Sequence, residues 1–317
     1  MPRLDRQRRK YSLVQSPLYR LSNRRRLAEI LAFEDGAKAL DQFAARSDNY
    51  REFVDNGREI QAPRPQMEQL HRRLAKLLIR IASPEYLHSG ICDRSYVSNA
   101  KTHQSRMPSI KVDVRRFYPS TSWDHIYRFF RDSMECSPDV AGVLATLSCC
   151  AYGHIPTGSP LSQILAFHAH RNMFDAIAEF AHSKGGVTSV YVDDIVVSMP
   201  QANMADLRHV ERIVSRYGLS SKKQKRRLFR SDEPKLITGV IVKPTHLEAP
   251  NRLHKKFGEA LTALAVAEES LQHGLAARKA IGIAQSIAYV DPRYVNLARH
   301  LRNKYRSIAY STVKSAS

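Results

Sequence analysis

The chain has little with which to build a cysteine framework. Its four cysteines, Cys92, Cys136, Cys149 and Cys150, include no C-x-x-C pair. That excludes a disulfide scaffold or zinc ribbon and leaves free thiols in a reducing cytosol as the plain expectation. A long apolar run is missing too. The longest mostly apolar stretch, near Val140–Tyr152, is interrupted by Thr146 and Ser148 and is too short to span a bilayer. Residues 1–30 carry many arginines but no apolar segment of signal-peptide length. A cytoplasmic protein with no membrane partner is therefore expected. Internal repeats and low-complexity tracts are absent. Acidic side chains are in deficit, with 30 Asp plus Glu against 50 Lys plus Arg and a formal charge of +20. Such a surface attracts polyanions and releases counterions when phosphates are neutralised. A nucleic-acid partner is the favoured reading, and a basic but otherwise inert surface is the alternative.

What is present suffices for a sizeable core. With 317 residues, 43% of them hydrophobic, the chain makes one large domain or two to three packed subdomains. The basic start (Arg3, Arg6, Arg8, Arg9, Lys10, Arg24, Arg25, Arg26) predicts a frayed tail over residues 1–26 leading into a helix near Asn23–Phe33. Met67, Leu70, Leu74, Leu77, Leu78 and Ile81 form one stripe of a helix over Pro65–Ala82. A short strand over Arg58–Pro63 precedes it. Ser109–Arg116 alternates into a strand that breaks at Phe117-Tyr118-Pro119-Ser120. A helix capped by Thr121 or Ser122 then runs to Phe130. A buried helix is expected over Asp139–Ala151, a turn-rich loop over Gly153–Pro160 and a helix from Leu161 to His182. Thr188–Val192 and Ile195–Ser198 flank an acidic pair as in a hairpin, although Val-Asp-Asp is not a standard two-residue turn. A helix over Met204–Tyr217, a strand over Leu236–Val242 and helices over Arg252–Ser286 and Pro292–Lys304 complete the reading. The fold class is α+β.

Asp113, Asp193 and Asp194 are the candidates for chemistry. An adjacent Asp pair is usually a solvated turn. Here it lies between Val190-Tyr191-Val192 and Ile195-Val196-Val197, where strand is favoured and like charges repel unless a cation joins them. Phosphoryl transfer needs two hard divalent cations on carboxylate oxygens, and rigid strand ends suit that task.

The motifs around these aspartates resemble those of bacterial, retron-type reverse transcriptases. Tyr191-Val192-Asp193-Asp194 is similar to the Y-x-D-D box. Asp113-Val114-Arg115-Arg116-Phe117-Tyr118-Pro119-Ser120 is similar to the D-[IV]-x-x-F-[FY]-P-S box, roughly 80 residues upstream as in that family. The resemblance implies a right-hand polymerase: basic N-terminal region and fingers over residues 1–105, palm over 106–235 and helical thumb over 236–317. It implies two Mg2+ ions on Asp113, Asp193, Asp194 and the Val114 carbonyl. It also implies triphosphate contacts from backbone amides around Arg115, Arg116 and Phe117. Tyr118 takes the position that excludes a ribose 2′-hydroxyl, or else is a core aromatic.

Further boxes extend the likeness over roughly residues 50–310. Pro156-Thr157-Gly158-Ser159-Pro160-Leu161-Ser162-Gln163 resembles the loop under the nascent base pair, with Gln163 where proline is commoner; Thr157 and Gly158 are its dNTP-binding candidates. Arg58 resembles a fingers arginine on the triphosphate, or is a solvated strand residue. Ser220–Arg227 is a basic run in which Lys222, Lys223, Lys225 and Arg226 are candidates for template or primer phosphates. Asn99-Ala100-Lys101-Thr102-His103 resembles the N-A-x-x-H element of retron enzymes and Ile237-Thr238-Gly239 their V-T-G element. Asn99, His103, Thr238 and Gly239 are thereby candidates for binding a cognate RNA; a core or capping His103 and an ordinary strand end are the alternatives.

The implied activity is RNA-directed DNA synthesis from dNTPs on a structured non-coding RNA. The short DNA product stays joined to that RNA (multicopy single-stranded DNA), with an effector protein, in an anti-phage system. The competing readings are a non-retron defence or abortive-infection reverse transcriptase, a nucleic-acid-binding scaffold with a relict site, and a magnesium nuclease.

Overall fold

The computed structural model describes residues 10–267 and 270–311. Arg3, Arg6, Arg8 and Arg9 of the expected basic tail lie outside the described residues. The part of that tail within them is packed: Leu18 is fully buried, and Tyr11 pairs with Ile81 and donates its hydroxyl to the Leu77 carbonyl.

In chain order, helices α1 (Arg24–Leu31) and α2 (Gly36–Ala44) lead to a hairpin of β1 (Tyr50–Asp55) and β2 (Arg58–Pro63). Helices α3 (Pro65–Leu78) and α4 (Tyr96–Lys101) come before β3 (Ser109–Asp113). Then follow α5 (Phe117–Ser120), α6 (Trp123–Arg128), α7 (Pro138–Ser148), α8 (Ser162–Ala169) and α9 (Arg171–Ser183). Strands β4 (Val187–Tyr191) and β5 (Asp194–Ser198), α10 (Met204–Arg216) and β6 (Arg227–Phe229) close the central region. The C-terminal part holds β7 (Lys235–Ile237), β8 (Val240–Val242), β9 (Leu247–Glu248), α11 (Asn251–Val266), α12 (Ser270–Val290) and α13 (Val295–Ser311).

Each boundary has a local cause. Asn23 caps α1 by accepting from the amides of Arg25 and Arg26, and the helix stops where Ala32 turns left-handed. Pro65 opens α3 at a position that needs no amide hydrogen. Four expectations change. The expected break at Phe117 is a helical turn, α5. The helix foreseen from Leu161 to His182 is two, parted at His170. Likewise, the foreseen helix 252–286 is α11 and the start of α12. The single strand foreseen over Leu236–Val242 is the hairpin β7–β8. It folds back at Thr238 and Gly239, whose φ angles are 44° and 81°. A β-branched residue is rare at positive φ, so no propensity rule announces that turn.

The central sheet has the order β4-β5-β3-β6, all neighbours antiparallel. Strand alternation divides its residues between two faces. Ile110, Val112, Val114, Ile195 and Val197 enter the main core, which runs from Leu18 to Leu219. The opposite parity carries Ser109, Lys111 and Asp113 on β3 and Asp194, Val196 and Ser198 on β5. Val196 packs there with Ala100, Ile237, Val240, Val242 and Val290 in a small second cluster. The C-terminal helices have a third cluster of their own, from Ala249 to Ala309. Among the described residues no helix is long and apolar enough to cross a membrane.

Lys235 is nearly fully buried, and its ammonium donates to the carbonyls of His103, Ser105 and Met107 at 3.2, 3.0 and 2.6 Å. It thereby fastens β7 to the loop preceding β3. Burial pulls its pKa down to about 8.

Candidate active site

Strand pairing brings the three aspartates together. In the β3–β5 register Asp113 lies opposite Asp194, and in the β4–β5 register Tyr191 lies opposite Asp194. The hairpin loop is thus only Val192 and Asp193. Val192 has φ 59°, while Asp193 is not left-handed. Positive φ at the first loop position alone is the pattern of a tight II′-like turn, usually given to glycine. The sequence Val-Asp is therefore a two-residue turn after all, held by strain that its surroundings must offset. One restraint comes from β3, where the Val114 amide donates to the Asp193 carbonyl at 2.9 Å.

Positive charge surrounds the cluster. Lys225 Nζ donates to Asp113 Oδ2 at 2.7 Å, and Lys222 Nζ stands 3.2 Å from Oδ1. Lys111 Nζ donates to Asp194 Oδ2 at 3.0 Å. The bond to Asp113 raises the Lys225 pKa. The Asp193 carboxyl is pushed above the usual range by burial first, then by the charges of Asp113 and Asp194. Among the described residues no group of three or more His, Cys, Asp or Glu side chains stands close enough to hold a metal ion. Yet Asp113 Oδ1 and Asp194 Oδ1 are both buried without a hydrogen bond. Two such hard, anionic oxygens on facing strands fit a divalent cation, and their lysines would have to give way to it.

Above the aspartates opens a cleft of about 900 Å³. Its walls include Arg58, Arg116, Phe117, Tyr118, Thr157, Asp193, Asp194, Lys222, Lys225, Thr238 and Gly239. Phe117 is buried against the rings of Tyr118, His170 and Phe174. Tyr118 faces the cleft, its hydroxyl pushed up to about 12 by burial and then by Asp193. The Thr157 amide and carbonyl both bond to Gln61, which joins the Pro-Thr-Gly-Ser-Pro loop to β2. Gly158 has φ 113°, and a Cβ there would stand 2.8 Å from Ile60 Cγ2. Gly158→Ala is accordingly expected to destabilise the fold by about 1–3 kcal/mol. The check is thermal melting, where an unchanged transition would mean that the loop does not sit on β2 this way.

Several candidates stand elsewhere. Arg115 is not part of the cleft wall, and its amide donates to the Ser220 carbonyl at 2.7 Å, so that amide is not free for a triphosphate. Val114 is buried beneath the site. Lys222 and Lys225, foreseen on nucleic-acid phosphates, turn inward onto Asp113. Arg226 stands 3.5 Å from Glu211, whereas Lys223 is exposed. His103 is corrected outright as a direct RNA contact. It is fully buried, and its two ring nitrogens bond Ser198 and Ser189 at 2.7 Å each, tying β5 to β4 on the face of the sheet that also carries Asp113 and Asp194. Asn99 is equally buried, with its amide 3.4 Å from Thr238 Oγ1. The N-A-x-x-H and T-G elements therefore meet each other inside the protein, and only Thr238 and Gly239 reach the cleft.

Sequence reasoning missed Lys111, Gln61, Arg252 and Ser89. Lys111 shares strand parity with Asp113, a signal that was available. Arg252 lines the cleft beside Gly239. Gln61 and Ser89 carried no signal, since each acts through a loop distant in sequence.

Comparison with known proteins identifies the class first. Telomerase from Candida albicans, solved with a fragment of telomeric RNA, aligns with a TM-score of 0.50 at 13% identity, covering 82% of this chain and 54% of that one. The fold is that of the right-hand polymerases. The sequence narrows this further. The chain is 28% identical over 214 residues to the Retron Se72 reverse transcriptase of Salmonella heidelberg, covering 62% of this chain and 55% of that protein. Two Myxococcus xanthus proteins are similar as well. The Retron Mx162 reverse transcriptase is 22% identical over 61% of this chain and 46% of its own length; the Retron Mx65 reverse transcriptase is 24% identical over 59% and 48%. The resemblance to retron-type reverse transcriptases is borne out by these relatives. The chain spans about half the length of the curated relatives it matches. No protein-family model matches it.

Proposed function

We propose that the chain is an RNA-directed DNA polymerase of the retron type, working by two-metal phosphoryl transfer. The observation that carries this reading is the facing pair Asp113 and Asp194, with Asp193 on the turn between strands, where Asp193 and Asp194 line a cleft about 900 Å³ in volume. Asp113, Asp193, Asp194 and the Val114 carbonyl would hold two Mg2+ ions. When bound, these activate the primer hydroxyl and neutralise the triphosphate. Arg58, Arg116, Thr157 and the backbone near Phe117 receive the nucleotide, and Tyr118 blocks a 2′-hydroxyl. Lys222 and Lys225 exchange their carboxylate for phosphates as the site fills. Residues 1–105 act as N-terminal region and fingers, 106–235 as palm and 236–317 as thumb.

The template is part of a structured non-coding RNA that stays joined to its DNA copy. An effector protein completes a cytoplasmic anti-phage complex. The +20 charge supports a polyanionic partner. The test is to purify the chain from its host and sequence the nucleic acid that accompanies it, alongside a primer-extension assay with Mg2+. A branched RNA–DNA molecule and dNTP-dependent extension are expected. Cellular RNA alone, with extension intact, would reassign the chain to a non-retron reverse transcriptase. Degradation without dNTPs would mark a nuclease.

A further inference from the structure

The catalytic turn is supported from a side that none of the family boxes covers. Residues 86–88 run alongside β4 and pair with it at Val190. The Val190 amide donates to the Tyr86 carbonyl at 2.7 Å, and the His88 amide donates to the Val190 carbonyl at 2.9 Å. Leu87 and Val190 form a parallel bridge. This brace is itself tied down by hydrogen bonds. The Arg94 guanidinium donates to the carbonyls of Pro84 and Leu87 at 2.7 and 2.6 Å, and His88 Nδ1 bonds Ser98 at 2.8 Å.

Main-chain pairing ends where the hairpin turns away. At Val192 a side chain takes over, and the Val192 amide donates to Ser89 Oγ at 3.0 Å. Ser89 is 4% exposed, so its hydroxyl is held within the protein. Val192 is the β-branched residue at φ 59°. A valine in that region is strained, and an amide left unpaired there would favour relaxation of the turn. The next residue is Asp193, so any relaxation of Val192 moves a catalytic carboxylate.

We propose that Ser89 is a positioning residue of the polymerase site: its hydroxyl locks the left-handed Val192 and thereby sets the attitude of Asp193. The inference rests on the polymerase reading above. Ser89 touches neither nucleotide nor metal ligand and acts through the backbone alone.

The experiment compares wild type, Ser89→Ala, Val192→Gly and the double variant by primer extension with varied dNTP, by thermal melting, and by amide hydrogen exchange over residues 190–195. Ser89→Ala is expected to lower kcat by about 10²-fold, the scale of a 1 Å misplacement, with KM for dNTP little changed. Glycine adopts positive φ without strain, so Val192→Gly in the Ser89→Ala background is expected to recover part of the lost kcat. Exchange at the Val192 amide is expected to be slow in wild type and fast in Ser89→Ala. An Ala variant with wild-type kcat overturns the proposal, as does a loss that Val192→Gly leaves untouched. Should Ser89→Ala fail to fold, the wild-type exchange decides: a fast-exchanging Val192 amide overturns it. Should wild type fail to extend any primer, the polymerase reading falls, and exchange still reports whether Ser89 holds the turn.

Discussion

Asp193→Asn is expected to reduce primer extension at least about 10³-fold, because a carboxylate in the metal-holding role proposed for it would supply several kcal/mol of transition-state stabilisation. The same variant is expected to melt at a higher temperature than wild type. Burial of Asp193 in the turn, and then the charges of Asp113 and Asp194, raise its carboxyl above the usual range. A folded-state pKa raised above the unfolded value means that the ionised form penalises folding. The penalty is present at neutral pH and vanishes as pH falls through the folded pKa. Asparagine keeps the shape and removes the charge. Activity and stability should thus move in opposite directions, as functional sites with concentrated like charge require. Melting curves and initial rates on the same preparation check both. A variant that loses activity and melts lower would place Asp193 in an ordinary structural role.

The second large effect is acid lability. His71, His103, His168 and His170 are buried and neutral, with pKa values lowered to about 4, 3, 4 and 3. Burial is the leading cause for each. In the unfolded chain they titrate near 6.5, so between about pH 3 and 6.5 the unfolded state binds more protons and stability falls with pH. At pH 5 each contributes about 2 kcal/mol of destabilisation, about 8 kcal/mol together, which rivals the whole stability of a typical domain. A steep, multi-proton unfolding transition near pH 5 is expected, followed by the fluorescence of Trp123, the one tryptophan. His168→Phe should move the midpoint to lower pH. Its ring already packs against Phe129 and Phe167, and its Nδ1 has no hydrogen bond. A chain still folded at pH 4 would contradict this picture.

The aspartates were legible because strand periodicity is local. Alternation along Ile110–Val114 and the β-branched residues around Asp193 announce two strand ends, and two acidic strand ends announce a shared centre. The long helices α3 and α10 declared themselves by their apolar spacing. What remained hidden depends on partners far away in sequence. Lys222 and Lys225 look like a solvated charge run until Ser221 pairs beside Val114 and swings them onto Asp113. For His103 the sequence left RNA contact and a core or capping role open, and the two serines from different strands that enclose it favour the core. The Thr238–Gly239 turn looks like mid-strand because its first residue defies backbone preference. The tertiary arrangement overrides the local signal in each instance.

The apolar clusters carry a mechanical consequence. The main core draws on residues from Leu18 to Leu219, whereas the helices beyond Ala249 keep an interior of their own. The seam between them is the small patch around Val196, Ile237 and Val290. A pivot there would disturb few packed side chains, so amide exchange is expected to report the C-terminal helices as a separate unit from the sheet that carries the aspartates.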